Sequence, residues 1–411
     1  MNKLAAEVIV VGAGPAGLAA ASAAKESRVI VVDDNPSPGG QIWRASAGKI
    51  WNRTARRLVS EIEKTNVKIV AGAQVFDATN GNSLIAETTN GTTEIEFEKL
   101  IIATGARERF LPFPGWTLPN VMGAGGLQAM VKGGLDINGK RVVIAGTGPL
   151  LIAVAEYLKR KGARVLTIAE QAPAAKINRF ALGLISEPSK LFQAIILRSK
   201  LLGIPYLTDC WVTSAFGEGR LAGVELTRNG KSRTVECDYL ACGFHLLPNV
   251  ELARLLKCRM ENGFVVVDDH QQTSIKNVYC AGEPTGIAGV ESALLEGEIA
   301  GLAASGQIDA ARKLFARRDK ARHFGVAMDK AFALRDELRA LAGNDTFVCR
   351  CEDVTFGRLK EFGNFREAKL QTRCGMGACQ GRVCGAAAEF LFGWEPPSVR
   401  PPIFPVKMEN L

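Results

Sequence analysis

The sequence predicts an α/β protein with two dinucleotide-binding (Rossmann-like) units and a small helical cysteine-rich module at its C-terminal end. Three observations carry this prediction. A full G-x-G-x-x-G, Gly12 to Gly17, stands between an apolar strand and an Ala-rich helix. A second Gly-rich strand–turn–helix recurs over Val142–Arg160. Cysteines then gather in two close pairs, Cys349 with Cys351 and Cys374 with Cys379.

Composition permits this architecture. At 411 residues the chain exceeds one ordinary domain of ~100–200 residues. Hydrophobic residues at 47% and charged residues at 23% allow sizeable cores and argue against global disorder. The net charge of +9 is spread along the chain, with no nucleic-acid recognition motif, which argues against a nucleic-acid partner. No run reaches the ~18 apolar residues that span a bilayer. Met1-Asn2-Lys3 and the apolar residues after it mimic a short signal peptide, but the Gly-rich turn that follows favours a buried first strand. The expected setting is cytoplasmic, with peripheral attachment at the inner membrane as an alternative. In a reducing setting ten cysteines serve as thiols or metal ligands rather than disulfides.

Taken in order, Ala6–Val11 is an apolar strand, a helix runs to about Lys25, and Arg28–Val32 is a second strand, completing one βαβ unit. A helix at Leu58–Lys64 and a strand at Val67–Ala71 follow. Ser83–Ala86 and Glu94–Phe97 suggest a hairpin, and Leu100–Ala103 a separate buried strand. The second unit has strands at Val142–Ala145 and Arg164–Ile168 around the helix Pro149–Arg160. Val235–Cys242, Phe264–Val267 and Asn277–Ala281 read as further strands, and Gly289–Ala304 as a small-residue helix. Residues 311–341 are basic and helical, with an apolar stripe of Phe324, Met328, Ala331, Leu334, Leu338 and Leu341 that suits a packing helix. The Pro-rich tail from Glu395-Pro396-Pro397 to Pro405 is expected to be extended, lying on this chain or on a partner. These elements divide the chain into residues 1–125 with 251–310, residues 126–250, a helical linker at 311–345, and a cysteine module at 346–411.

The first turn has a specific physics. Gly12 permits the tight turn, Gly14 lets backbone approach a pyrophosphate, and Gly17 lets the helix pack closely on the sheet. Pro15 and Ala16 open the helix, whose free N–H groups and dipole favour phosphate. An acid about 20 residues later should bond a ribose hydroxyl. Asp33 and Asp34 both qualify, and the spacing to Gly39-Gly40 favours Asp34. Three later features point to a flavin, FAD, rather than a nicotinamide. Gly40 and Gln41 follow the acid, Ala103-Thr104-Gly105 ends a strand, and Gly282-Glu283 ends a late strand where an acid could bond the ribityl chain. Val75, beyond the third strand, completes the set of candidate contacts.

The second turn is degenerate. Gly146 and Gly148 are present, but Leu151 stands at the third glycine position, where it would hold helix and sheet apart. Glu170 could still accept a ribose. This unit would bind NAD(H), another adenine nucleotide such as ATP, or neither.

In the C-terminal module, Cys349, Cys351, Cys374 and Cys379 suit four-thiolate ligation of an iron–sulfur cluster. Zinc is the alternative, but C-x-C fits a tetrahedral zinc knuckle poorly, so a [2Fe-2S] cluster is favoured. Cys384, expected inside the helix after Cys379, is either a small buried residue or a replacement for one ligand. Cys237 and Cys242 lie along a strand far from the first turn, which argues against a dithiol–disulfide reductase. The histidines His245, His270 and His323 are scattered and read as structural, and no side chain stands out as a catalytic acid or base.

With these motifs placed, the chain resembles the alpha subunit of heteromeric flavin-dependent amine and amino-acid dehydrogenases. That group includes opine oxidase, hydrogen cyanide synthase, hydroxyproline dehydrogenase and dye-linked proline dehydrogenases. The resemblance covers nearly the whole chain. It rests on the stretches 11–17, 38–42, 103–109 and 113–116, and above all on Ala281-Gly282-Glu283-Pro284-Thr285-Gly286-Ile287 and the stretch 372–382. It implies a disulfide-reductase-like flavoprotein fold with a bacterioferritin-associated-ferredoxin-like [2Fe-2S] domain. It also implies ATP in the second nucleotide domain of some members, and a separate flavin-containing beta subunit that oxidises the amine, with room for a small third subunit. Leu151 and the pair Phe244-His245 depart from the pattern. The expected role is therefore an electron relay, through FAD and the cluster, in a dehydrogenase of a small amino or imino acid: proline-like, an opine or glycine-like. The rival is a stand-alone NAD(P)H-dependent ferredoxin-like reductase, which needs an intact second nucleotide site.

Overall fold

The computed structural model describes residues 2–44, 52–79, 82–395 and 398–411. Contacts divide the chain into two units. One comprises Met1–Arg107, Leu247–Val326 and Ser398–Leu411, the other Glu108–Leu246 and Ala327–Pro397. The cysteine module thus falls in the second unit, and the end of the chain in the first.

The first unit is built on a seven-stranded sheet. Lys68–Ala71, Val29–Asp33, Asn2–Val11, Gly91–Ile102, Ser83–Thr88 and Gln74–Ala78 lie side by side in that order, and Val278–Cys280 also pairs with Gly91–Ile102. Val8 to Val11 and Val29 to Val32 are all buried, as parallel strands covered on both faces require. The expected strands at Glu94–Phe97 and Leu100–Ala103 are one continuous strand, Gly91–Ile102. Its first half pairs with Ser83–Thr88 and alternates between buried and solvated residues, and its last three residues are buried, so one strand shows two sequence patterns.

The helix Pro15–Ala23 packs against Val290–Ala304 without large side chains. A Cβ on Gly297 would overlap Ala16 O, and one on Gly301 would overlap Ala20 O. Small residues therefore set how closely these helices approach. The tail returns to this unit: Ile403 is buried and its N–H donates to Phe76 O at 2.8 Å, while Asn410 Nδ2 donates to Glu87 Oε1 at 2.6 Å. The described part of the tail thus lies on this chain, and Pro396 and Pro397 are outside the described residues.

The second unit has a five-stranded parallel sheet in the order Tyr206–Leu207, Arg164–Glu170, Arg141–Thr147, Tyr239–Phe244, Val121–Gly123. A three-stranded antiparallel sheet, Cys210–Phe216, Gly223–Arg228 and Lys231–Glu236, adjoins it in sequence. The expected strand Val235–Cys242 is therefore two strands in different sheets, divided at Cys237-Asp238, where Asp238 bonds Arg141. The expected continuous helix over 311–341 is also divided. Helices run over Ile308–Arg312 and Phe315–Ala331, and a 3-10 turn over Asp336–Ala340.

Candidate cofactor sites

In the first unit, register brings four strand ends together. Val11 lies beside Val32 and Ile102, and Ile102 beside Cys280. The turns leaving these strands, at Gly12–Gly14, Asp33-Asp34, Ala103–Gly105 and Ala281–Glu283, therefore share the carboxyl edge of the sheet, where open α/β sheets bind ligands. Gly12 has φ 107, and a Cβ there would overlap Ala103 O. Gly17 serves the turn as well as the helix, since its Cβ would overlap Gly12 O and come within 3.3 Å of Val10 Cγ1. Gly40, at φ 58, faces Gly14: a Cβ on Gly40 would stand 2.9 Å from Gly14 Cα. Gly14 and Gly40 thus form a cradle bare of side chains before the first turn of the helix Pro15–Ala23, where Ala16 is buried and no side chain caps the N-terminus.

The two acids divide their work. Asp33 is buried, with Oδ2 accepting from Ala13 N–H and Oδ1 accepting from Asn35 N–H at 2.7 Å. Asp34 is exposed, and its Oδ1 accepts from Asn35 Nδ2 at 2.7 Å, which leaves a carboxylate at the surface for a hydroxyl. Gln41 is exposed and accepts from Arg44 at 3.0 Å. Val75 is buried in the core, its side chain spent on packing. Thr104 Oγ1 donates to Asn249 O at 2.6 Å, and Asn249 N–H donates to Gly105 O at 2.9 Å. Asn249, which has no motif around it, therefore fixes the Ala103–Gly105 turn.

Glu283 carries the most telling atom. Its Oε1 accepts from Gly289 N–H at 3.2 Å, while its buried Oε2 has no hydrogen-bond partner among the described residues. Burial pushes this carboxyl up to about 7. A buried acceptor without a donor beside a bare cradle suits a ligand hydroxyl. Its turn is held by Glu296, which accepts from Gly282 N–H at 2.8 Å, Thr285 Oγ1 at 2.7 Å and Arg322 Nε at 2.7 Å. These residues fit FAD: a phosphate cradle, an open acid for a ribose and an orphan acceptor for a polyol chain.

The equivalent edge of the second unit is filled. Glu170 is fully buried, accepts from Gly148 N–H at 2.7 Å and Ala172 N–H at 2.8 Å, and is pushed up to about 7 by burial. It has no oxygen open to a ribose. Leu151 does not hold the helix off as expected. It is fully buried and sits against Gly243, where a Cβ would come within 3.1 Å of Leu151 Cδ2. The missing third glycine is thus compensated on the neighbouring strand. Over the turn lies residue Phe332, whose carbonyl accepts from Thr147 Oγ1 at 2.9 Å and lies 2.7 Å from His245 Nε2. A further helix start in this unit, Ala124–Lys132, is capped by Glu108, which accepts from Gly125 N–H at 2.7 Å and Gly126 N–H at 2.9 Å.

The cysteine module draws five sulfurs together. The Sγ atoms of Cys349, Cys374 and Cys384 lie within 4.8 Å of one another, and all three residues are buried. Cys379 lies in thiol–thiol contact with Cys384 and Cys351, all as free thiols. Cys384 begins the helix Cys384–Phe392 instead of lying inside it, because the chain after Cys379 stays in turns, and this aims Cys384 inward. Contact with the other thiols pushes Cys349 down to about 2 and Cys379 down to about 5, and pushes Cys384 well up. A Cβ on Gly377 would overlap Cys351 Cβ, so that glycine lets the loop close. Crowded sulfurs that compete for protons form a soft, all-sulfur donor set suited to a metal cluster. The module is tied down by Trp116 Nε1, which donates to Phe347 O at 2.6 Å. The other cysteines, Cys210, Cys237, Cys242, Cys258 and Cys280, are buried and their thiols are pushed up by burial, which makes them inert.

The sequence profile of the family described as pyridine nucleotide-disulphide oxidoreductase covers residues 6–297. The chain belongs to that family. Membership implies FAD, in agreement with the cradle of the first unit, and makes the chain a flavoprotein oxidoreductase. It is 31% identical to the hydrogen cyanide synthase subunit HcnB of Pseudomonas aeruginosa, over 92% of this chain and 90% of that protein. It is 30% identical to an opine oxidase subunit from Rhizobium meliloti, over 98% of this chain and 87% of that protein. The fold also matches L-proline dehydrogenase from P. horikoshii, with a TM-score of 0.72 at 18% identity, covering 100% of this chain and 80% of that one. Among the described residues, no helix is long and apolar enough to cross a membrane.

Proposed function

We propose that this chain is the electron-relay subunit of a heteromeric flavin-dependent dehydrogenase acting on a small amino or imino acid. The single observation that carries the reading is the five-sulfur pocket of Cys349, Cys351, Cys374, Cys379 and Cys384 in a chain that also holds an FAD cradle. Four of these sulfurs would hold a [2Fe-2S] cluster, with Cys349, Cys351, Cys374 and Cys379 favoured by spacing. FAD would lie across Gly12, Gly14 and Gly40, with Asp34 on a ribose and Glu283 on the ribityl chain. When bound, a flavin exchanges two electrons singly or together, and a two-iron cluster carries one. The chain's own residues would position both groups: Glu296 and Asn249 fix the turns, and Gly377 closes the sulfur loop.

Oxidation of the C–N bond would take place in a partner, since the described residues offer no reactive dithiol outside the sulfur pocket and no exposed acid–base pair beside the cradle. That both relatives are named as one subunit of an enzyme supports a partner that oxidises the substrate. The alternative, a stand-alone NAD(P)H reductase, is disfavoured by the filled edge of the second unit. The test is anaerobic titration of the chain, alone and with its co-purified partner, with candidate amino and imino acids, followed by absorbance and EPR. Reduction of flavin and cluster only when the partner is present is the expected result. Rapid bleaching by NADH of the chain alone would replace this reading with the reductase.

A further inference from the structure

The second unit carries the framework of a nucleotide site, and the family's name leads one to expect a pyridine nucleotide there, but its residues do not fit one. In the first unit the residue after the second strand's buried acid is Asp34, which is open. In the second unit the residue in that place is Gln171, which is fully buried and bonded to the chain itself. Gln171 Nε2 donates to Thr147 Oγ1 at 2.9 Å and Ala333 O at 3.1 Å, and Gln171 Oε1 accepts from Arg335 N–H at 3.1 Å. The Arg335 guanidinium donates to Gln171 O at 3.2 Å and lies 3.8 Å from the Trp211 ring centroid. Phe332 is 5% exposed and packs edge-on against Phe180 at 5.6 Å, beside Ala172 and Ile177. Its ring lies 4.0 Å from where a Cβ of Gly148 would stand.

The acid, the ribose position and the space over the glycine turn are therefore already occupied, and only the helix start at Pro149 keeps no side-chain cap. The acid Glu170 holds Gly148 N–H, the ribose position holds backbone of 333–335, and the space over the glycine turn holds Phe332. We infer that the crevice of the second unit is a clamp for residues 332–335 of its own chain and not a site for NAD(H) or ATP. The clamped segment leads directly through Asp336–Ala340 to Phe347, the start of the cysteine module. The clamp's role is thus to anchor the tether of that module. Thr147 and Gln171, which stand where a ribose would be held, bond the backbone of 332–335 instead through a neutral hydroxyl and a neutral amide.

The test uses the FAD-loaded full chain. Calorimetric titration with NADH, NADPH and ATP, each to millimolar concentration, is combined with amide hydrogen exchange. The expected result is no added exchange protection at residues 146–151 with any nucleotide, and protection of the Phe332 and Arg335 amides without one. Gln171→Ala with Thr147→Val should raise exchange of 332–335 about tenfold and speed iron loss from the module, with flavin content unchanged. Stoichiometric nucleotide binding that protects 146–151 in the unmodified chain would overturn the inference, and so would unaltered exchange of 332–335 in the double variant. If that variant fails to fold, the titration of the unmodified chain still decides.

Discussion

Two copies of the same strand–turn–helix have reached opposite ends in this chain. At Gly12–Gly17 the turn is bare: Gly14 and Gly40 face each other without side chains, Asp34 is exposed and Glu283 Oε2 lacks a partner among the described residues. At Gly146–Leu151 the turn is covered: Phe332 lies over Gly148, Gln171 is bonded to 333–335, and Glu170 has both oxygens in use. Both turns open helices that begin with proline and lack a side-chain cap. The lesson is that a glycine turn and an acid specify a backbone shape, while what the shape holds depends on whether distant residues have already satisfied its polar groups.

The comparison can be broken most severely at the cradles. Gly14 has φ −74, which any residue adopts, so Gly14→Val should fold yet fill the cradle. Purified protein should then lack flavin absorbance, whereas Gln171→Ala at the second turn should retain it in full. If both variants keep flavin, the first cradle is not the FAD site. Next in size is the sulfur pocket. Cys349→Ser should abolish the EPR signal of the reduced cluster and most bound iron. In a serine scan of the five cysteines four variants should lose the signal, and loss at Cys384 with retention at Cys374 or Cys379 would redraw the ligand set.

A smaller effect concerns the buried acid of the covered turn. Glu170 is raised from 4.5 to about 7 in the folded chain, so the unfolded chain releases its proton first as pH rises. Its ionisation therefore destabilises the fold progressively from about pH 4.5 to about pH 7, by about 3 kcal/mol at most, and not further above that. Urea titrations of the wild-type chain should show this decline, and Glu170→Gln should reduce it, the buried Glu283 supplying the remainder. An unchanged slope would mean that Glu170 is solvated. The smallest effect is at the open acid: Asp34→Asn should weaken FAD binding about tenfold, read by flavin release in dilution, because one charge-assisted hydrogen bond becomes a neutral one.

Much of the first site was legible because its parts are local. The strand, turn, helix and acid lie between Ala6 and Asp34, and periodicity and glycine spacing report them directly. Gly282-Glu283 was legible as a strand-end acid, although its orphan oxygen was not. Asn249 and Glu296 carried no signal, because a polar residue that braces a turn through space looks like any surface residue in sequence. Cys384 was legible as a cysteine, but its role turned on where the last helix starts, which depends on the turns after Cys379. Leu151 was read as a spacer because its partner, Gly243, lies on a strand 92 positions later. Phe332 fell off the apolar stripe of 324–341, and the helix that would have explained the stripe ends at Ala331.

The sequence by itself determined the two nucleotide-type folds, the flavin cradle and the sulfur-rich module, because each is encoded by residues close together in the chain. Only the tertiary structure decided that the second crevice is filled, that five sulfurs converge rather than four, and that the end of the chain returns to the first unit. Those outcomes depend on hydrogen bonds and packing between residues far apart in sequence, such as Gln171 with Arg335 and Phe76 with Ile403, and no local pattern records such pairings.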